Sequence, residues 1–67
     1  MSVAKVSEIT ASSPRSFEDA IRIGIARASQ TLTNITGAWV NEMKVVVEDG
    51  EVTAYRVNMR VTFVLTD

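Results

Sequence analysis

The chain has 67 residues, with Lys+Arg 7 against Asp+Glu 8, no histidine, no cysteine and a formal net charge of −1. This composition predicts one domain, residues 1–67, and excludes His or Cys zinc ligands, thiolate nucleophiles, imidazole bases and disulfides, so we expect no enzyme and no catalytic residue. The near-zero charge argues against nucleic acid or a membrane as partner. Residues 1–10 lack a signal peptide's apolar core, and no segment approaches the ~20 apolar residues of a membrane span, so we expect a cytoplasmic protein.

The first predicted elements are a strand over residues 3–10 and a turn over residues 11–15, where Pro14 discourages further strand pairing. A helix is predicted to begin next, with Ser16 as its N-cap and Asp19 as the capping-box partner three residues later. Acidic residues in the first turn suit the positive end of the helix dipole.

One side of the predicted helix is apolar or small and is expected to face the core. This side consists of Phe17, Ala20, Ile21, Gly24, Ile25, Ala28 and Leu32. Gly24 and Ala28 are small enough for a sheet backbone to approach closely. The opposite side carries Ile23 and Ala26, which indicate either a second contact surface or scattered exposed apolar residues. The helix is expected to end in the region of Asn34 and Gly37.

Two β-branched stretches, residues 38–47 and 52–65, predict a long hairpin. Asp49 and Gly50 between them are the preferred centre of a type I′ turn, because both central residues need positive φ. With this two-residue loop, the numbers of paired residues sum to 99. The pairs so predicted are Trp39 with Arg60, Asn41 with Asn58, and Met43 with Arg56.

The second hairpin strand alternates between apolar and polar residues, which assigns its two faces. The apolar face, expected to meet the helix, consists of Tyr55, Val57, Met59, Val61, Phe63 and Leu65. Unless a bulge intervenes, the opposite face consists of Arg56, Asn58 and Arg60 together with Gly37, Trp39, Asn41 and Met43. The large apolar ring of a tryptophan on that face is expected to be covered by other atoms and not left in water.

Element lengths predict a homo-oligomer. A strand of about 14 residues spans roughly 46 Å, whereas a helix of about 17 residues spans only about 26 Å. One helix therefore cannot cover the hairpin, and the excess sheet must curl strongly or be buried by other copies. A chain this small, without metal or disulfide, also gains stability from oligomerisation.

Few groups in the sequence could bind a ligand. The acidic turn of Glu48, Asp49 and Glu51 is expected to be a solvated hairpin tip, or a calcium or magnesium site if a symmetry axis brings several tips together. No metal-binding residue is assigned in the single chain. The spacing does not match an EF-hand loop, and the three glycines form no phosphate-binding loop.

Trp39 and two arginines of the last strand form the other candidate group. Trp39 opposite Arg60 predicts a cation–π pair that either packs structurally or stacks on a ligand. Arg56 offers a rigid fork for a phosphate, a carboxylate or a polar ring edge, or alternatively for an intersubunit ion pair.

The order strand, helix and long hairpin, together with several short segments, resembles the dodecin family over essentially the whole chain. The segments are KVSEI at 5–9, SFEDA at 16–20, ARA at 26–28, EDG at 48–50 and YRV at 55–57. The resemblance implies an α+β fold with a βαββ subunit, whose three-stranded antiparallel sheet is partly wrapped around one helix. It also implies a bacterial or archaeal protein that assembles as a hollow homododecamer and stores flavins, namely riboflavin, FMN or FAD, without turnover.

Two positions depart from the flavin-binding pattern of that family. A tryptophan that stacks on the flavin is replaced by Gly37, and a glutamine that bonds the ring's polar edge is replaced by Arg56. Trp39, two residues further on the same strand face, is a candidate substitute. Gly37, Trp39 and Arg56 are therefore the candidate cofactor-binding residues, with flavin binding expected to be weakened.

Similar departures occur in a flavin-poor branch of the family that includes calcium-associated dodecins. Two functional classes stay open. One is a small-molecule buffer with flavin as its default ligand. The other is a flavin-free dodecamer that has a structural role, or that binds cations such as calcium or another anionic metabolite.

Overall fold

A computed structural model describes residues 2–66, so Met1 and Asp67 of the predicted domain lie outside the described residues. The elements in chain order are β1 (Ala4–Ser13), α1 (Phe17–Ala28), β2 (Ile35–Glu48) and β3 (Glu51–Val64). The strands form one antiparallel sheet in the order β1-β3-β2, with β3 in the centre. The predicted βαββ order and α+β fold are confirmed. No helix within residues 2–66 combines the length and the apolar character that crossing a membrane requires.

Strand β1 is longer than predicted. The expected turn over residues 11–15 was wrong in its first half, because residues 11–13 continue the ladder opposite Val57, Arg56 and Tyr55. Pairing with the central strand overrides the weak strand preference of these small residues. Ala11 and Ser13 are buried on the helix side of the sheet, and β1 ends just before Pro14.

Helix α1 begins as predicted and ends earlier than predicted. The Ser16 side chain accepts a hydrogen bond of 2.9 Å from the Asp19 backbone N–H, which confirms the N-cap. The expected end near Asn34 and Gly37 was wrong, since the helix stops at Ala28. Apart from Leu32, residues 29–34 carry hydroxyl and amide side chains, which compete for backbone groups.

Side-chain hydrogen bonds mark the C-terminal end of α1. Ser29 Oγ donates to the Ile25 carbonyl at 2.8 Å, and Thr31 Oγ1 donates to the Ala28 carbonyl at 3.4 Å. Asn34 then adopts a φ of 62°, in the left-handed region that asparagine tolerates, and the chain enters β2.

The core lies between α1 and the sheet. Val57, Met59 and Val61 of β3 are fully buried, as the alternation predicted, and Val57 and Met59 form one packed cluster with Ala20 of the helix. Phe17 contacts Tyr55 edge to face, with ring centroids 5.2 Å apart. The expected core side of α1 is confirmed within the helix, where Ala20, Gly24 and Ala28 are buried.

The hairpin turn is confirmed, but three bulges alter the register. Asp49 and Gly50 have φ values of 52° and 78°, as a type I′ turn requires. Thr53 is unpaired, and beyond it the numbers of paired residues sum to 100 instead of 99. Asn41 is also unpaired, and beyond it the sum returns to 99. A third bulge at Thr36 follows near the start of β2. Such bulges increase the local twist of the hairpin.

Two of the three predicted strand pairs were therefore wrong. Trp39 lies opposite Arg60 as predicted, but Asn58 lies opposite Glu42 and Arg56 lies opposite Lys44. The remaining correction concerns the face of one side chain. Met43 lies opposite the buried Val57, so it belongs to the helix-facing side and not to the opposite face.

The helix covers only part of the sheet. It packs on β1 and β3, while β2 lies on the far side of β3. The 12 residues of α1 span about 18 Å, whereas the subunit is 51 Å long. The uncovered sheet is thus larger than the sequence lengths predicted.

Candidate functional site

The sheet face turned away from α1, here called the polar face, carries three side-chain rows that cross all three strands. The rows, ordered toward the hairpin turn, are Glu8–Arg60–Trp39, Thr10–Asn58–Glu42 and Ser12–Arg56–Lys44. Because directly opposed residues of an antiparallel pair share a face, each row forms a line of neighbouring side chains. The three predicted site residues Gly37, Trp39 and Arg56 all lie on this face.

Asn58 in the middle row connects the three strands. Its Nδ2 donates to Glu8 Oε2 and Thr10 Oγ1, both at 3.2 Å, while its Oδ1 accepts from Asn41 Nδ2 at 2.9 Å. The bulge at Asn41 is what lets this side chain and that of Glu42 share the row with Asn58. The sequence placed Asn58 on this face but gave no signal for its central role.

Two cations stand side by side in the third row. Arg56 Nε donates to Ser12 Oγ at 2.9 Å, which orients the guanidinium along the sheet. Lys44 lies directly opposite Arg56, and neither forms an ion pair with a carboxylate of residues 2–66. Like charges in direct opposition cost stability, so this pair favours an anionic partner. Lys44 was missed because its place opposite Arg56 depends on the bulge at Thr53.

A shallow hollow of about 230 Å³ lies among side chains of all three rows. The side chains around it are Glu8, Thr10, Glu42, Lys44, Arg56 and Asn58. Cationic, anionic and neutral polar side chains therefore lie together on one patch of the polar face.

Trp39 in the first row is an exposed aromatic surface. Its side chain is 69% exposed in the single subunit. Its register partner Arg60 has its Nε 4.0 Å from Glu8 Oε1, an exposed contact that contributes little to stability. The predicted register of Trp39 opposite Arg60 is confirmed, but their predicted cation–π contact is not among the aromatic contacts of residues 2–66. The Trp39 ring offers a flat surface for stacking.

Gly37 leaves an open space next to Trp39. It lies opposite Thr62, which pairs in turn with Val6, an exposed apolar residue of β1. Beyond its two chain neighbours, a Cβ at Gly37 would have no atom of the described residues within 4 Å. Gly37 and Trp39 thus form a platform with one aromatic wall, and a planar ligand held by one subunit alone would be covered on one side.

The acidic hairpin tip lies at the far end of the molecule. Glu48 and Glu51 are direct register partners, and both are exposed. Within residues 2–66, no group of three or more acidic side chains is arranged to hold a metal ion. A cation site here would need tips from several subunits, and it stays a prediction.

Comparisons with known proteins support the resemblance read from the sequence. A model of the Dodecin family matches residues 3–66. The dodecin from Streptomyces davaonensis is 38% identical, with a TM-score of 0.94 over 98% of this chain and 97% of that chain. A variant of the Thermus thermophilus dodecin is 30% identical, with a TM-score of 0.94 over 100% of this chain and 98% of that chain.

A calcium-chelating relative is also similar. The calcium dodecin from Mycobacterium tuberculosis, described as having a novel calcium-binding site, is 32% identical, with a TM-score of 0.83 over 96% of this chain and 91% of that chain. Comparison with curated proteins gives no match.

Proposed function

This chain belongs to the dodecin family, and on that basis we propose that it is a non-enzymatic homododecamer that binds and buffers a small molecule. The proposed ligand is flavin, which is inferred from the resemblance to flavin-binding members of the family. Here the flavin is held weakly, and Gly37, Trp39 and Arg56 are the residues that face it.

The open platform of Gly37 and Trp39 is the observation that supports this proposal most directly. A largely exposed tryptophan beside an empty strand position suits a planar aromatic ligand. Since one subunit supplies one wall, the second wall comes from another copy in the dodecamer. This requirement links ligand binding to assembly.

Binding is weakened for two reasons. Stacking shifts from position 37 to Trp39, which moves the ring along the strand by two residues, roughly 7 Å. Arg56 supplies only donors, so it cannot pair with a donor on the ring edge as a glutamine carbonyl can. Its Nε is also already bonded to Ser12 Oγ.

Fluorescence titration tests the flavin proposal, because Trp39 is the single tryptophan of the chain. Riboflavin should quench Trp39 emission, and bound flavin should lose its own fluorescence. Trp39→Ala should weaken binding at least tenfold, whereas Ala38→Ser, on the other face of the strand, should leave it unchanged. Equal flavin binding by wild type and Trp39→Ala would refute the role of Trp39, and no quenching up to saturating riboflavin would refute flavin itself.

Light scattering with size-exclusion chromatography tests the assembly separately. The proposal expects about twelve times the 7.3 kDa subunit mass. A monodisperse monomer or dimer contradicts it.

A second candidate ligand is an anionic metabolite, and the paired Lys44 and Arg56 favour it. The first and third rows of the polar face are four residues apart on β3, roughly 13 Å. A ligand with a ring on Trp39 and a phosphate at this pair would bind tighter than its unphosphorylated form. FMN should then bind more tightly than riboflavin, and Lys44→Gln should remove that preference while Lys5→Gln should not. Equal affinities for FMN and riboflavin exclude this candidate.

Calcium is the remaining alternative, supported by the similarity to the calcium dodecin and by the opposed carboxylates of Glu48 and Glu51. Calorimetric titration of the assembled protein with calcium tests it, with Glu48→Gln as the variant expected to lose binding. An unchanged calcium isotherm in that variant excludes the hairpin tip.

A further inference from the structure

The hairpin ends in an apolar surface that nothing in the subunit covers. This surface, here called the arm patch, lies on the helix-facing side of the sheet beyond the end of the helix. It consists of Met43, Val45, Val47 and Val52, which are between 40% and 57% exposed. The three residues from β2 lie on the edge strand, beyond the two strands on which α1 mainly packs. Four large apolar side chains next to one another on one face indicate a contact surface.

A groove at the other edge of the sheet is also apolar. It lies between α1 and β1 and has a volume of about 470 Å³. Its apolar lining consists of Ile9, Ala11, Ile23, Gly24, Ala28 and Leu32. Ile23, which the helix pattern left without an assigned contact, is 45% exposed at the rim. The groove therefore has the size and chemistry to receive several aliphatic side chains.

The charges beside these two surfaces are complementary. Of the described residues that line the groove, Arg27 is the charged one. The arm patch ends at a tip that carries Glu48, Asp49 and Glu51 and no basic residue. An arm laid in the groove thus brings carboxylates toward an arginine.

The arm cannot reach the groove of its own subunit. Pairing of β2 with β3 over the length of both strands, interrupted only by single-residue bulges, holds the hairpin extended in a molecule 51 Å long. The groove lies at β1 and α1, on the other sheet edge from β2. A second copy of the chain is the occupant that supplies the matching apolar surface and charge.

We propose that the arm patch of one subunit docks in the α1–β1 groove of the next, head to tail, with its acidic tip beside Arg27. The contact is heterologous, since its two sides are different surfaces, and such contacts close into rings when the rotation permits. This inference rests on the proposed homo-oligomer and identifies the surfaces that build it.

Cysteine cross-linking tests the contact directly, because the chain contains no cysteine. A variant with Ile23→Cys and Val47→Cys should form disulfides between subunits under mild oxidation, giving a ladder of covalent oligomers on a non-reducing gel. Each single variant should stay monomeric on that gel, because the two positions meet only each other. The control pair Glu18→Cys with Val47→Cys should not cross-link, since Glu18 lies outside the groove lining.

Light scattering on the same samples separates this inference from the proposed assembly. If the protein is oligomeric but the Ile23→Cys and Val47→Cys variant does not cross-link, the proposed docking is wrong and the homo-oligomer stands. Binding of an apolar dye in the groove would not change that conclusion, because it would indicate a different partner for the groove. A monomer in solution overturns both.

Charge reversal gives a second readout. Arg27→Glu should raise the protein concentration at which the assembly dissociates at least tenfold, and Glu48→Lys with Glu51→Lys should do the same. Combining the three substitutions should restore assembly toward the wild type if these charges meet. Additive weakening in the combined variant overturns the contact between the tip and Arg27.

Discussion

Ser13 Oγ donates a hydrogen bond of 2.5 Å to Asp19 Oδ2, and this bond joins the end of β1 to the first turn of α1. Ser13 is 1% exposed, and its oxygen also accepts from the Arg15 backbone N–H at 3.0 Å. The Asp19 N–H meanwhile caps on Ser16. Asp19 thus fixes both the start of the helix and its angle to the sheet, a role that the capping-box pattern predicted only in part.

Ser13→Ala should destabilise the fold by about 1–3 kcal/mol, because the Arg15 N–H and the Asp19 carboxylate, both in part-buried hydrogen bonds, each lose a partner. Thermal or urea unfolding at one fixed protein concentration measures this change. Ser2→Ala, at an exposed serine outside the elements, should stay within about 0.5 kcal/mol of wild type. Equal stability of the two variants would show that the Ser13 bond contributes nothing.

Gly24→Ala tests how closely the helix approaches the sheet. A Cβ at this position would lie 2.7 Å from Met59 Cε and 3.0 Å from Ala11 Cβ. Overpacking costs about 1–3 kcal/mol, whereas replacing glycine in a helix gains roughly 1 kcal/mol. We expect a net loss of about 1 kcal/mol in unfolding free energy.

Two comparisons give the sign of that effect. Ala26→Gly, at an exposed helix position, should cost about 1 kcal/mol from helix propensity alone. The double variant Gly24→Ala with Met59→Ala should lose less unfolding free energy than the sum of the losses in the two single variants. The reason is that Met59→Ala removes the methyl group closest to the added Cβ. A stabilised Gly24→Ala variant would mean that the gap accommodates a methyl group.

The two glycines of the hairpin should respond oppositely to alanine. Gly50 has a φ of 78°, so Gly50→Ala should cost about 1–2 kcal/mol from left-handed backbone strain. Gly37 is not among the positive-φ residues and has open space around it, so Gly37→Ala should be neutral or stabilise by up to about 1 kcal/mol. Equal losses at both positions in urea unfolding would contradict this reading of the backbone.

The sequence was most informative where one local rule decides the structure. The Asp49–Gly50 turn, the Ser16 cap and the alternation along β3 were all predicted correctly. The helix end was not, because apolar spacing carries on to Leu32 while hydroxyl side chains from Ser29 onward bond back to the helix carbonyls. Periodicity alone does not detect that competition.

The candidate site shows the same division between local and long-range information. Gly37 and Trp39 pair with Thr62 and Arg60 of β3, and alternation along β3 puts Arg56 on the same face as these two partners. The shared face of Gly37, Trp39 and Arg56 was therefore predictable. The pairing of Lys44 with Arg56 was not predictable in this way. It exists because the ladder is shifted by one residue in the segment between the bulge at Thr53 and the bulge at Asn41. Bulge positions depend on how the whole sheet twists, which no short segment encodes.

Restoring the flavin-binding pattern of the family is the sharpest test of the site. Gly37→Trp restores an aromatic wall in open space, and Arg56→Gln supplies a neutral donor and acceptor edge. Combined, they should raise flavin affinity at least tenfold, which corresponds to about 1.4 kcal/mol. Quenching of flavin fluorescence during titration measures the affinity.

The double variant should gain more than the sum of its single variants, because ring stacking and edge hydrogen bonds hold the same ligand in register. Ala38→Trp is the matched control, since it places the same ring one residue away on the other strand face, where it should give no gain. A Gly37→Trp gain that Ala38→Trp reproduces would reflect nonspecific stacking. If wild type already binds flavin as tightly as the double variant, Trp39 fully replaces the lost tryptophan, and the inference from Gly37 and Arg56 to weak binding is wrong.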